Sequence, residues 1–289
     1  MSGIKLTKNV WTSAQIKMRI VAKANKADSL PPRPKRSWLF KKNLMPVKKL
    51  ISLKDFLHEL ITKEIKVLLV ILVLLICVLT FLEIGDAISA GETRQFDLSI
   101  IEFFRAEDDF NKPMEPTWVT EFMTDITSLG GGYILAIITI FVSIFLILQK
   151  RYDAFWLLLA ATIGGTLISF WLKDIYDRER PDLIYRLVTV TSFSFPSGHS
   201  MMSAVLYLTQ AAIVARFQRT WKIRIYILSI ALLLTLIIGF SRVYLGVHYP
   251  TDVIGGWTIG LAWASLCWCI AWYIQRRKRL NRKLEQEQV

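Results

Sequence analysis

What most limits how this chain can fold is a series of six long apolar runs, at about residues 66–84, 129–148, 154–172, 199–217, 223–241 and 253–274. A helix needs roughly 20 predominantly apolar residues to cross the hydrocarbon core of a bilayer. One such run could be a buried helix of a soluble core. Six within about 210 residues of a chain that is 53% hydrophobic, with mean hydropathy +0.41, argue against that. The expected fold is all-α, a polytopic membrane protein with six transmembrane helices.

Charge gives the orientation. Threaded alternately, six spans place 28 of the 36 Lys and Arg on one side, in both tails and in the two loops between them. The other side keeps eight, and its segment 85–128 sets three basic residues against ten carboxylates. Basic loops stay cytoplasmic, so both termini are expected in the cytoplasm, or in the stroma of an organelle. The net charge of +13 invites a nucleic-acid partner. None is expected, because the surplus lies beside the spans, where it suits anionic lipid headgroups.

Four stretches follow from this reading. Residues 1–51 are basic, with Asp28 the lone acid and a Pro31-Pro32-Arg33-Pro34 stretch, and read as a disordered cytoplasmic tail. An organellar transit peptide is the competing reading, opposed by the bias towards Lys. Residues 52–65 open with a capping box, Ser52-Leu53-Lys54-Asp55, and carry an apolar stripe at helical spacing, which predicts an interfacial amphipathic helix. His58 on that helix reads as a solvated surface residue. Residues 66–274 form the six-helix core, and 275–289 a second basic cytoplasmic tail. Within the core, 85–128 is expected as an outer loop with a short helix around Asp97–Phe104. Gly130-Gly131-Gly132 opens the second span, while Gly164-Gly165 and Gly256-x3-Gly260 permit close helix packing. Cys77, Cys267 and Cys269 fall inside spans and read as small core residues.

Three segments at span edges carry chemistry. Lys173-x6-Arg180-Pro181 follows the third span. A cation at the bilayer centre costs ~3 kcal/mol or more, so both belong at the interface or in a polar cavity. Arg offers a planar fork for phosphate oxygens and Lys a mobile point charge. Read alone, the segment fits helix-end snorkelling equally well. Pro196-Ser197-Gly198-His199 opens the fourth span, with Ser197 as N-cap and Gly198 allowing close ligand approach. The unpaired N–H groups of a helix start bind anions, and His199 there could donate a proton. Read alone, the segment is also an ordinary cap. Ser241-Arg242-x5-His248-x3-Asp252 brackets the sixth span. If both are helical, His248 and Asp252 share a face. The carboxylate then fixes the tautomer and supports charge developing on the imidazole. A structural His–Asp pair is the alternative.

Together the segments say more than any one. Lys173, Arg180, Arg242 and a helix N-terminus can neutralise a phosphoryl transition state, while two histidines supply a nucleophile and an acid. The sequence has no Asp/Glu cluster for a metal, so the cations would do the work of Mg²⁺. No metal or other cofactor is expected.

This combination resembles the signature of the type 2 phosphatidic acid phosphatase superfamily, which includes vanadium haloperoxidases and glucose-6-phosphatase. The family pattern is K-x6-RP, PSGH and SR-x5-H-x3-D, matched here at every position over a region of about 66–274. The resemblance implies a metal-independent phosphatase acting on a lipid phosphate monoester or diphosphate at the non-cytoplasmic leaflet. It implies that His248 attacks phosphorus to form a phosphohistidine, supported by Asp252. It also implies that His199 protonates the leaving alcohol and later activates water, while Lys173, Arg180, Ser197, Gly198 and Arg242 hold the phosphate. A lipid phosphotransferase using the same chemistry, and a non-catalytic transporter or scaffold, are the alternatives. Compactness and short loops point to a bacterial inner membrane with the site facing the periplasm, an organelle membrane being the alternative.

Overall fold

The structure is a computed structural model, and the residues it describes are 53–106, 109–110, 112–113 and 116–287. The basic stretch 1–51 lies outside the described residues, as does Ser52 of the capping box. Eight helices are described: α1 (Leu53–Ser89), α2 (Arg94–Phe103), α3 (Thr117–Ser128), α4 (Gly132–Leu148), α5 (Tyr152–Tyr176), α6 (Gly198–Phe217), α7 (Trp221–Tyr244) and α8 (Pro250–Glu287). A 3₁₀ turn, Leu183–Tyr185, interrupts the α5–α6 connection. There is no strand among the described residues.

Five helices are long and apolar enough to cross a membrane: most of α1, then α5, α6, α7 and most of α8. The expected second span, 129–148, is divided. Only α4, 17 residues long, lies within it, and α3 joins α4 at a 47° bend. At 1.5 Å per residue α4 reaches ~26 Å, short of the ~30 Å hydrocarbon core. A sixth crossing exists only if α3 and α4 count as one broken span. The bend follows from the chain: Leu129, Gly130 and Gly131 turn back onto Ile126, Thr127 and Ser128 through i→i−3 bonds before α4 begins. The segment 85–128, expected as an outer loop, is correspondingly less open than a loop, since α1 runs on to Ser89 and both α2 and α3 fall within it.

The centre of the bundle is α6, packed against α5, α7 and α8. It has the lowest mean hydropathy of the five spans, 1.3 against 3.2 for α1, and the highest burial, 56% against 17%. Those facts are linked. Ser200, Ser203 and Thr209 would be costly against lipid, so the helix carrying them is the one the others enclose. Elsewhere the surface is apolar, with Leu68, Phe141, Leu148, Trp171 and Leu233 all exposed, a surface suited to acyl chains.

Small residues set the α6–α8 distance. A Cβ on Gly256 would lie 2.7 Å from the Ser197 carbonyl, and one on Gly260 2.6 Å from that of Met201. Gly164 has a different use: it makes room for the Trp263 indole, whose Nε1 donates to Ala161 O at 2.9 Å. The cysteines are free thiols inside helices, Cys77 and Cys267 buried and Cys269 half-buried. The side chain of His58 lies outside the described residues. The C-terminus of α5, the N-terminus of α6, the C-terminus of α7 and the N-terminus of α8 meet at one end of the bundle, and the three motif segments meet with them.

Candidate active site at one end of the bundle

Each segment is turned inward by its local backbone. Lys173 occupies the last turn of α5, which Asp177 ends in the left-handed region (φ 43°), donating its N–H to Lys173 O at 3.0 Å. Ser197 caps α6, accepting from Ser200 N at 3.4 Å and Ser200 Oγ at 3.0 Å. Its own N–H donates to Asp252 O at 3.0 Å, tying the starts of α6 and α8 together. A Cβ on Gly198 would lie 3.8 Å from Lys173 Cε, so a larger side chain there would crowd the lysine. Gly246 (φ 67°) closes α7 and folds the chain back. The Val247 and His248 N–H groups then both reach Arg242 O, at 3.2 and 3.3 Å. That reversal brings Arg242 and His248 together across five residues.

His248 is fully buried and its two ring nitrogens face different partners. Nε2 lies 3.1 Å from Arg180 Nη1, a group that can only donate. Nδ1 lies 3.4 Å from Asp252 Oδ2, which accepts. The pattern assigns the proton to Nδ1 and leaves the Nε2 lone pair towards the cations. Burial first, then the charges of Arg180, Arg242 and Lys173, and lastly His199, hold the imidazole pKa well below its ordinary value. His199, half-buried, lies with its ring against Gly130 and has no hydrogen-bond partner among the described residues. The structure therefore brings both histidines and the three predicted cations into one electrostatic neighbourhood.

Those three cations share a trait. Lys173 Nζ donates to Phe193 O at 2.5 Å. Arg180 donates to Ser192 O and Val247 O, each at 2.5 Å, and to Ser192 Oγ at 3.1 Å. Arg242 Nη1 donates to Thr127 Oγ1 at 3.0 Å, while its Nε is buried with no partner in the structure. Among the described residues, none of the three is paired with a carboxylate. Burial, opposed by Asp252 and reinforced by Arg186, pulls the Arg180 pKa down to about 10. A cavity of about 300 Å³ opens beside Arg180, lined also by Arg186, Ser192 and Phe193.

The carboxylates pair with a residue of different standing. Arg178 donates through Nη1 to Asp252 Oδ1 at 2.6 Å and through Nη2 to Asp97 Oδ2 at 2.7 Å. Burial works against its charge, yet Asp252 and Asp97 outweigh that and raise its pKa. The other oxygen of Asp252 accepts from Ser194 Oγ at 2.5 Å and Tyr249 N at 2.9 Å. At 3.4 Å, the His248–Asp252 contact is thus the longest that this carboxylate makes. His248 precedes α8 instead of sharing a helix face with Asp252; the link runs through the first turn of α8. Sequence reasoning gave no role to Arg178, Asp97, Ser194, Thr127 or Thr251, although Arg178 and Thr251 fall at unassigned positions inside two of the segments. A hydroxyl three residues before Ser197 was a faint local signal for Ser194. Asp97 and Thr127 had none, being far away in the chain.

Comparison with known proteins shows the family. Residues 154–276 match the PAP2 superfamily, a stretch containing every predicted site residue. The chain is 38% identical over 172 residues to phosphatidylglycerophosphatase B of Bacillus subtilis, covering 57% of this chain and 80% of that protein. It is 39% identical over 75 residues to the undecaprenyl-diphosphatase of Sulfolobus acidocaldarius, covering 26% of this chain and 32% of that protein. Among solved structures, the transmembrane PAP2-type phosphatidylglycerolphosphate phosphatase of Bacillus subtilis superposes with a TM-score of 0.62 at 31% identity, covering 67% of this chain and 93% of that one. The chain therefore belongs to the PAP2 superfamily, as one of its membrane-bound lipid phosphatases.

Proposed function

We propose that the protein hydrolyses a lipid phosphate monoester or diphosphate at the non-cytoplasmic leaflet through a phosphohistidine, with no metal ion in the step. One observation carries this reading: Arg180 Nη1 lies 3.1 Å from His248 Nε2, the charges of Arg242 and Lys173 act on the same imidazole, and none of the three has a carboxylate partner among the described residues. Buried cations need a counter-charge. Here the buried carboxylates, Asp97 and Asp252, are paired with Arg178, so the counter-charge this reading assigns to the three cations is the substrate's phosphate. The buried, unpartnered Nε of Arg242 is a donor waiting for such an anion.

Arg180 Nη1 faces the lone pair of His248 Nε2 at 3.1 Å. An incoming phosphate takes the Arg180 fork for its own oxygens and frees that lone pair. Nε2 then attacks phosphorus as the bond to the lipid oxygen breaks, and His199 gives that oxygen a proton. Water next attacks the phosphohistidine, gives its proton to His199, and the P–N bond returns its electrons to Nε2. Asp252 supports the imidazolium through Nδ1–H throughout. Ser197 and Gly198 offer the open N–H groups at the start of α6 to the phosphate.

Relatives named for phosphatidylglycerophosphate and undecaprenyl diphosphate make those the first substrates to try. Compactness and short loops favour a bacterial inner membrane, and the basic tails and acidic 85–128 segment favour both termini in the cytoplasm and the site facing the periplasm. The test is phosphate release by detergent-solubilised protein across phosphatidylglycerophosphate, undecaprenyl diphosphate, phosphatidic acid, lysophosphatidic acid and a lipid A phosphate, in EDTA. Release that persists in EDTA and is inhibited by vanadate is expected. Release abolished by EDTA and restored by magnesium would sink the metal-free mechanism. Release only when a lipid or sugar acceptor is supplied would turn the assignment to a phosphotransferase.

A further inference from the structure

One cluster of charge is buried and fully partnered, and it draws on a helix outside the region that matches the family. Asp97 on α2 is completely buried. Its Oδ2 accepts from Arg178 Nη2 and from Thr251 Oγ1, each at 2.7 Å, and its Oδ1 accepts from Thr251 N at 3.1 Å. Arg178 Nη1 donates to Asp252 Oδ1 at 2.6 Å and to Thr251 Oγ1 at 2.8 Å. The guanidinium also lies 4.3 Å over the Tyr249 ring. Contacts thus run unbroken from Asp97 through Arg178 and Asp252 to His248, and Asp97 precedes the matched residues 154–276.

We propose that Arg178 and Asp97 are positioning residues for the reaction at His248, making α2 part of the catalytic unit. Asp252 has two oxygens and three directions it could face. By taking Oδ1, Arg178 leaves only Oδ2 for the imidazole and fixes its angle. Asp97, held by Thr251 from the same turn of α8, prevents Arg178 from swinging out to the phosphate cations two residues away. The arrangement also sets a charge balance, since Arg178 offsets the field of Asp252 at His248 and Asp97 offsets Arg178. The charges that depress the His248 pKa, beside its burial, are Arg180, Arg242, Lys173 and His199. Those bearing on Tyr249, beside Arg178, include Arg94 and Asp182. Substitution at 97 or 178 leaves all of these in place.

A scaffold role and a positioning role differ in sign. The measurement is kcat/KM for phosphate release against pH, on the purified full chain, so the inference rests on the phosphohistidine reading. Arg178→Gln exposes His248 to an uncompensated Asp252, which favours imidazolium, so the acid limb moves to higher pH. Asp97→Asn leaves Arg178 less neutralised, which disfavours imidazolium, so the limb moves to lower pH. Arg178→Lys keeps the charge but cannot fork between two carboxylates; kcat falls while the limb stays near that of the wild type. If Arg178→Gln does not accumulate as folded protein, the near-isosteric Asp97→Asn carries the test alone. An active wild type whose limb stays fixed in Asp97→Asn overturns the positioning role and leaves the phosphatase reading standing. A wild type that releases no phosphate overturns both.

Discussion

Arg178 and Arg180 stand two residues apart and are treated in opposite ways. Arg178 takes two buried carboxylates and ends fully paired. Arg180, with Lys173 and Arg242, is left to backbone carbonyls, hydroxyls and a histidine nitrogen. A buried ion pair organises a structure, while a buried cation without one costs stability until an anion arrives. The contrast separates positive charge that builds the site from positive charge that the site offers. On the proposed mechanism, function resides in the unpaired set, and the paired set holds the nucleophile in place for it.

The sharpest break in that contrast comes at His248, which both sets face. His248→Ala is expected to lower phosphate release by at least ~10³-fold, as loss of a nucleophile does, with residual rate from binding alone. Its vanadate affinity should fall far less, because the unpaired cations remain. Release that survives in this variant would remove the nucleophile assignment.

Next in size is the pair Arg180→Ala and Arg178→Ala, compared side by side. Losing one preorganised donor to a developing anionic centre costs ~10²–10³ in kcat. Arg180→Ala should pay that with little change in melting temperature, since like-charge repulsion with Arg242 and Lys173 is relieved. Arg178→Ala strands two buried carboxylates, and breaking a buried pair costs ~3–5 kcal/mol, so it should melt well below the wild type. Equal losses of stability in the two variants would erase the distinction between the sets.

Much of the unpaired set was legible in the sequence and little of the paired set was. Lys173, Arg180, Ser197, Gly198, His199, Arg242 and His248 lie in short spacings fixed by helix ends, as does Asp252 from the paired set, and such spacings survive in one dimension. Asp97 is one of ten carboxylates in the acidic segment 85–128, and nothing local distinguishes it. Its partner Thr251 is 154 residues away, so only folding reveals the contact. The bundle was similarly divided. Long uniform runs announced α1, α5, α6, α7 and α8. The 129–148 run hid a bend, because hydropathy averages across Gly130 and Gly131 where the backbone turns. The centrality of α6 could have been read from its low hydropathy, since in lipid the least apolar helix is the one that must be covered.

The unpaired set also makes a prediction about pH. The profile of kcat/KM reports the free enzyme, in which burial and the neighbouring cations depress the His248 pKa. Its protonation, which removes the nucleophile, therefore begins only below the ordinary value of about 6.5, and the acid limb should lie below that. Bound phosphate carries negative charge into the cation set and offsets the depression. The acid limb of kcat should then fall at higher pH than that of kcat/KM. Coincident limbs would mean that the three cations do not act on His248 in the way their positions indicate.

The smallest effect tests the edge of the contrast, at Thr127. This hydroxyl, from α3, accepts from Arg242 Nη1 at 3.0 Å and is the one hydrogen bond described for that guanidinium. Thr127→Val keeps the shape and removes the acceptor. A buried hydrogen bond is worth ~1 kcal/mol net, and more where a charged donor is left unsatisfied. In the empty protein the loss adds a second unpartnered donor to Arg242, so stability should fall by about that amount. Phosphate would then have one more free donor to satisfy than in the wild type, and the ligand should recover part of the loss. The expected signature is a lowered melting temperature without ligand and a larger upward shift than wild type on adding vanadate. A shift no larger than that of the wild type would mean that Arg242 does not reach the anion. It would then belong with Arg178, among the charges that build the site.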